Sequence, residues 1–156
     1  MRERFGRTVY ELNVPQYCCG GLNFGYFYDR SPIIAYGGET APPYSMYDYT
    51  PSTSPGCRTP HVWLREGRSL YDAMGAGFTL LRFDRTATVD ALVGAAAKRN
   101  VPIAVLDVEA SPPYEHKLVL SRPDQHVAWR GNAQPDDPMA LIDLIRGQRA
   151  PAPLSA

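Results

Sequence analysis

Apolar and polar positions along this 156-residue chain fall into two regimes that meet near Pro60. Beyond it the pattern is regular. Residues 61–64, His-Val-Trp-Leu, read as a short strand, and 69–74 as a brief turn of helix closed by Gly75 and Gly77. Residues 78–83, Phe-Thr-Leu-Leu-Arg-Phe, predict a strand that is apolar on both faces, which suits a sheet covered on two sides. Thr88 stands where an N-cap would, and Val89, Leu92, Val93 and Ala96 follow at i, i+3, i+4 and i+7. Lys98 and Arg99 suit the negative end of that helix, and Pro102 ends it. Residues 103–108, Ile-Ala-Val-Leu-Asp-Val, predict a continuous buried strand.

Leu118-Val119-Leu120 and His126-Val127-Ala128-Trp129 flank Arg122-Pro123-Asp124-Gln125. Pro123 presets φ for the first central position of a turn and Asp124 suits the second, so 117–130 predicts a β-hairpin. Asp137 then caps a last helix with Pro138 at its first position; Leu141, Ile142 and Ile145 face inward, and Gly147 stops it. A βαβ unit, a β-hairpin and a C-terminal helix make an α/β, thioredoxin-like plan over 59–148. The tail 149–156 reads as disordered.

Residues 1–58 show no sustained helical period, and read as an irregular arm. Leu22, Phe24, Tyr26 and Tyr28 alternate along a possible strand, Ser31-Pro32-Ile33-Ile34 is a second extended piece, and 41–44 and 50–56 are loops. Eight of the ten tyrosines lie in this arm. It either wraps the following domain or offers a surface to another polypeptide. Phe24, Tyr26, Tyr28, Tyr44, Tyr47 and Tyr49 are its candidate interaction residues.

Charge and cysteine content narrow the function classes. Lys plus Arg and Asp plus Glu are 16 each, which argues against a nucleic-acid or membrane-surface binder. No apolar run approaches the ~20 residues of a spanning helix. The first residues lack the apolar core of a signal peptide, and three cysteines cannot all pair, so a cytoplasmic setting is the expectation.

Candidate chemistry is sparse. A thioredoxin-like plan places Cys-x-x-Cys where the first strand meets its helix, but that junction here is Phe83-Asp84-Arg85-Thr86-Ala87-Thr88. Cys18-Cys19 are adjacent and Cys57 is isolated, so no cysteine is expected to do redox catalysis. His61, His116 and His126 lack the spacing of metal ligands. Asp107 and Glu109 sit two apart at a strand end, where α/β proteins put functional groups, yet such carboxylates are more often solvated or bound to Arg. Gly75-Ala76-Gly77 precedes a strand and is no nucleotide fingerprint.

Four stretches resemble one known family. They are Asn23-Phe24-Gly25-Tyr26-Phe27-Tyr28-Asp29-Arg30-Ser31-Pro32, Pro55-Gly56-Cys57-Arg58-Thr59-Pro60-His61-Val62-Trp63-Leu64, Asp72-x-x-Gly75-x-Gly77-Phe78-Thr79-Leu80-Leu81, and Arg122-Pro123-Asp124-Gln125-His126-Val127-Ala128-Trp129-Arg130-Gly131. In this order they are similar to the C-terminal region of the FAD-dependent aromatic-ring hydroxylases, which include phenol and polyketide hydroxylases. The resemblance implies a thioredoxin-like C-terminal domain packed against a flavin-binding catalytic part, in some members at a dimer interface. The parent enzymes use FAD and NAD(P)H, but their Gly-x-Gly-x-x-Gly and Gly-Asp elements have no counterpart here. The expectation is therefore a non-catalytic interaction module with no catalytic, cofactor-binding or metal residues of its own. Its partner is a flavin-binding catalytic domain or subunit, or a second copy of itself. The alternative is an independent small-molecule binder or enzyme using a tyrosine-lined pocket and Asp107.

Overall fold

In a computed structural model that describes residues 2–148, a four-stranded sheet carries the core. The expected tail at 149–156 lies outside the described residues. Strands β1 (Phe78–Arg82), β2 (Ile103–Asp107), β3 (Leu118–Ser121) and β4 (Val127–Gly131) lie in the order β2-β1-β3-β4. β1 and β2 are parallel, with Leu80 beside Val105; β3 is antiparallel to β1 and to β4. Five helices accompany them: α1 (Arg2–Tyr17), α2 (Gly20–Phe24), α3 (Leu70–Ala73), α4 (Asp90–Lys98) and α5 (Pro138–Ile145).

Successive residues of β1 point to opposite faces, and both faces are covered as its sequence predicts. Leu80 packs with Leu92, Ala96, Leu118, Leu120, Leu141 and Ile142 beneath α4 and α5. Leu81 packs on the other face with Leu70, Val108, Tyr114, Val119 and Val127. The hairpin forms with a bulge between Leu120 and Ser121. Its turn closes with the Gln125 amide donating to the Arg122 carbonyl at 2.9 Å. At α5, Asp137 accepts from the Ala140 amide at 2.9 Å and Gly147 turns left-handed at φ 78°, as expected. Ser69 likewise caps α3.

Four expectations are corrected. Thr88 does not cap α4. The N-cap is Val89, whose side chain makes no capping bond; instead Gln134 accepts from the Leu92 amide at 2.9 Å while its own amide nitrogen donates to Thr88 Oγ1 at 3.0 Å. A local signal was absent because the cap comes from 42 residues away.

Of residues 103–108, 103–107 form a strand, but not a buried one. β2 occupies a sheet edge, and Val105 is 39% exposed. Composition marks a strand, but strand order decides its burial.

Residues 61–64 join no sheet. They pair only with the return of their own loop, through Leu64 N–H to Arg68 O and Leu70 N–H to Val62 O, and Trp63 is left 71% exposed.

The arm is not irregular throughout, since α1 and α2 lie within residues 2–24. Gly6 and Pro15 weaken any helical reading of α1, and Tyr10 and Tyr17 blur its apolar periodicity. Leu22 and Phe24, expected in a strand, belong to α2. There a Cβ on Gly21 would meet the Ser45 carbonyl oxygen at 1.7 Å, so glycine lets α2 lie directly on the 45–48 backbone.

From Phe27 onward the arm closes the β4 side of the sheet. Gly56 N–H donates to Val127 O and Val127 N–H to Cys57 O, at 2.8 and 2.9 Å, and Ala35 N–H donates to Ala128 O at 2.8 Å. Below them, Thr59 Oγ1 and Ser121 Oγ share a buried 2.7 Å hydrogen bond.

Candidate functional site

Two surfaces hold the candidate residues. The first forms where the arm crosses the hairpin turn. Arg58, the residue after the Gly56–Cys57 crossing, engages three side chains with its guanidinium. It donates to Gln125 Oε1 at 2.8 Å and to the Tyr71 hydroxyl at 3.3 Å, and lies 5.5 Å from the Phe24 ring centroid and 5.2 Å from that of Tyr71. Phe24 in turn meets Tyr49, centroids 5.9 Å apart. Burial pushes the Tyr49 phenol up to about 12, so it stays protonated at neutral pH.

Tyr26 and Tyr28 flank His126, at 5.2 and 4.8 Å between centroids, and Arg122 lies 5.4 Å from the Tyr28 ring. The structure thus gathers Phe24, Tyr26, Tyr28 and Tyr49 into one aromatic surface around Arg58 and His126. Tyr44 and Tyr47 stand apart from it, half exposed on the loop that seats α2. Sequence reading missed Arg58 and Arg122 as organisers, although both lie inside the stretches that carry the family resemblance.

His126 is 1% exposed; its Nδ1–H donates to the Asp124 carbonyl at 2.9 Å, and Nε2 has no partner among the described residues. Burial holds its pKa below the ordinary histidine value, outweighing the nearby Asp124. The native state therefore resists protonation while the unfolded chain protonates below about pH 6.5. In that window the unfolded state binds the extra proton, so stability falls as pH falls, by at most about 1.4 kcal/mol per pH unit for one group. His126→Asn is expected to flatten this loss between neutral and mildly acidic pH, read from urea midpoints. Equal slopes for the two proteins would show that His126 titrates normally.

This aromatic surface is not a pocket for a small molecule. The hollow lined by Phe24, Tyr26, Tyr49, Cys57 and Arg58 has a free volume of about 10 Å³, room for one water. It offers the alternative reading no room for a small-molecule ligand.

The second surface is a cleft of about 1010 Å³ beyond the ends of β1 and β2, bordered by Trp63, Arg65, Arg68, Arg82, Arg85, Asp107 and Glu109. Asp107 is bound by Arg82 at 2.7 Å and Arg85 at 3.3 Å, and the Arg82 guanidinium holds its carboxyl below the usual carboxylate range. Glu109 meets Arg65 at 3.5 Å. Both carboxylates are thus engaged by arginine, and neither is matched with a nucleophile or a second acid for proton transfer.

Cys57 is buried, and burial raises its thiol pKa, the opposite of what a redox nucleophile needs. Among the described residues no group of histidine, cysteine and carboxylate side chains could hold a metal, and no helix is long and apolar enough to cross a membrane.

The described residues do not fit an FAD site either. A flavin dinucleotide needs glycines opening a helix whose N–H groups face the phosphates. Here Gly20-Gly21 open only five-residue α2, with the Ser45 and Asp48 carbonyls in the space beside Gly21, and α4 has its Leu92 amide occupied by Gln134.

Residues 52–148 match the family model described as "Aromatic-ring hydroxylase, C-terminal". The FAD-dependent monooxygenase opdD of Penicillium oxalicum is 31% identical over 85% of this chain, which covers 26% of that protein. Phenol 2-monooxygenase of a Pseudomonas species is 29% identical over 94% of the chain and 27% of its own length. The substrate-free structure of the rebeccamycin biosynthetic enzyme RebC superposes with a TM-score of 0.73 at 35% identity, covering 94% of this chain and 26% of that one. The chain thus spans about a quarter of the length of the relatives it matches. It belongs to the family of aromatic-ring hydroxylase C-terminal domains.

Proposed function

We propose that the chain is the non-catalytic C-terminal module of an FAD-dependent aromatic hydroxylase, docked on the flavin-binding catalytic portion through its N-terminal segment. The single observation that carries this is helix α1. Phe5, Val9 and Leu12 recur at i, i+4 and i+7, yet they are 71%, 41% and 67% exposed. Tyr10 and Tyr17 add 68% and 82%. A helix with this much apolar surface in water marks a contact made with something else. The flavin-binding portion is the natural occupant, because the matched relatives are about four times as long. The partly exposed rings of Phe24, Tyr26, Tyr28, Tyr44 and Tyr47 add further aromatic area on the same N-terminal segment, and aromatics of this kind make interface hot spots.

FAD and NAD(P)H chemistry then belongs to that portion. The four-stranded order β2-β1-β3-β4, with one parallel and two antiparallel pairs, supports a thioredoxin-like plan for 59–148 in which a loop replaces any helix between β2 and β3. Division of the chain after residue 58 and a cytoplasmic setting complete the reading.

The test is capture of a flavoprotein by the tagged full chain from its native lysate, scored by the visible flavin spectrum. The wild-type chain retains it; Phe5→Ser/Val9→Ser/Leu12→Ser loses most of it. Equal retention by the triple variant, or stoichiometric flavin on the purified chain alone, would refute the reading.

A further inference from the structure

The cleft beyond β1 and β2 plays no part in the docking proposed above. It opens at the carboxyl ends of two parallel strands, where α/β sheets hold their ligands. Its lining comes from three segments, 62–68, 82–85 and 107–111. At about 1010 Å³ it stands at the top of the ~300–1,000 Å³ range of small-molecule sites. An inorganic ion would leave most of it empty.

Charge in the cleft is unbalanced. Arg65, Arg68, Arg82 and Arg85 face only Asp107 and Glu109, an excess of two positive charges among the described side chains. Arg82 and Arg85 reach Asp107 through Nε, at 2.7 and 3.3 Å, and their Nη groups have no hydrogen-bond partner among the described residues. Asp107 thus orients both guanidiniums before any ligand arrives. Arg68 donates to the Asp72 carbonyl at 2.9 Å and meets no carboxylate among the described residues.

Trp63 adds a ring beside these cations. Val62 and Leu64 pack on the cluster around Leu81, so the residue between them is turned outward. The return of the loop, Leu64 N–H to Arg68 O and Leu70 N–H to Val62 O, fixes its backbone. The His61 ring braces it nearly at right angles, centroids 4.8 Å apart. A scattered exposed tryptophan would need no explanation. One held in a cleft with four arginines supplies a stacking face next to an anion clamp.

We propose that this cleft binds a nucleoside monophosphate, its base stacked on Trp63 and its phosphate held by Arg68 and Arg85. A phosphate monoester carries about −1.5 to −2 charge at neutral pH, which matches the surplus of the cleft; a monocarboxylate would leave half of it unmet. Guanidinium forks bond phosphate oxygens two at a time. Such a site works through side chains and needs none of the glycines that a flavin dinucleotide requires. None of the cleft residues lies on α1, so the site does not rest on how that helix docks.

Stacking does not read base edges, so a purine, with its larger ring, is the probe. Calorimetric titration of the full chain with adenosine monophosphate, adenosine and inorganic phosphate tests the site, above the phosphate's second pKa of about 6. Adenosine monophosphate should saturate one site and bind at least ~10-fold more tightly than adenosine or phosphate. Arg68→Gln and Arg85→Gln should each weaken it ~10-fold, and Trp63→Leu about as much. Arg30→Gln removes the same charge from an exposed position of the arm outside the cleft and should change nothing. Circular dichroism checks the fold of each variant. Absence of saturable binding by adenosine monophosphate up to ~1 mM overturns the proposal. So does phosphate or adenosine binding as tightly as the nucleotide, an affinity that survives Trp63→Leu or the two arginine changes, or an equal loss in Arg30→Gln.

Discussion

Replacing Gly56 with alanine should lower stability by about 3 kcal/mol or more, because two separate penalties fall on one methyl group. Gly56 holds φ at 95°, where an L side chain is strained, and a Cβ built there would lie 2.0 Å from the Tyr28 carbonyl oxygen. That carbonyl is fixed, since it also accepts from the Tyr36 hydroxyl at 2.8 Å. Relief requires the crossing of the arm over β4 to shift, and the Gly56–Val127 and Tyr28–Gly56 backbone bonds with it. Gly38→Ala separates the two penalties. Its φ is 86°, but nothing lies within 4 Å of the added methyl, so it should cost only about 1 kcal/mol. Thermal unfolding of both variants decides the matter, with a drop of roughly 10 °C expected for Gly56→Ala. Equal losses in the two would mean that the arm moves aside without cost.

Arg58→Ala should cost about 2–3 kcal/mol, a large value for a side chain that makes no ion pair among the described residues. The loss has several parts. Gln125 Oε1 forfeits its 2.8 Å donor, and the rings of Phe24 and Tyr71 lose the cation between them. Gln125 sits at φ 62°, a left-handed position normally given to glycine in such turns. Its side chain and its carbonyl, which accepts from Thr59 N–H at 2.8 Å, tie that strained turn to the arm. Arg58→Lys keeps the charge but not the planar fork, and should recover less than half of the loss. Urea midpoints of the three proteins measure this. A lysine variant as stable as the wild type would show that charge alone matters.

What the sequence made legible has a physical pattern. The hairpin and α5 were readable because their determinants are local: Pro123 and Asp124 set one turn, while Asp137, Pro138 and Gly147 bound one helix. Both faces of β1 were readable because Leu80 and Leu81 are consecutive and each needs a core. Helix α1 was not, since none of the described residues buries one side of it, and Gly6, Pro15, Tyr10 and Tyr17 dilute the stripe of Phe5, Val9 and Leu12. The exposure of β2 was hidden for a related reason: a run of Ile, Ala, Val and Leu specifies a strand but is silent about its neighbours. At the candidate surface, aromatic density pointed to the arm, and Phe24, Tyr26, Tyr28 and Tyr49 do converge. What joins them, Arg58 to Gln125 and Tyr28 to His126, spans separations that no local pattern encodes.

The cap of α4 has a consequence for how the chain is made. Residues 78–107, the strand–helix–strand unit, precede Gln134 in synthesis, so any helix formed there before Gln134 arrives has its Leu92 amide turned to water. Thr88 Oγ1 waits for the same side chain. Only when the segment after β4 has emerged and folded back can one glutamine close both groups. The start of α4 therefore gains this cap only when the later half of the domain is in place.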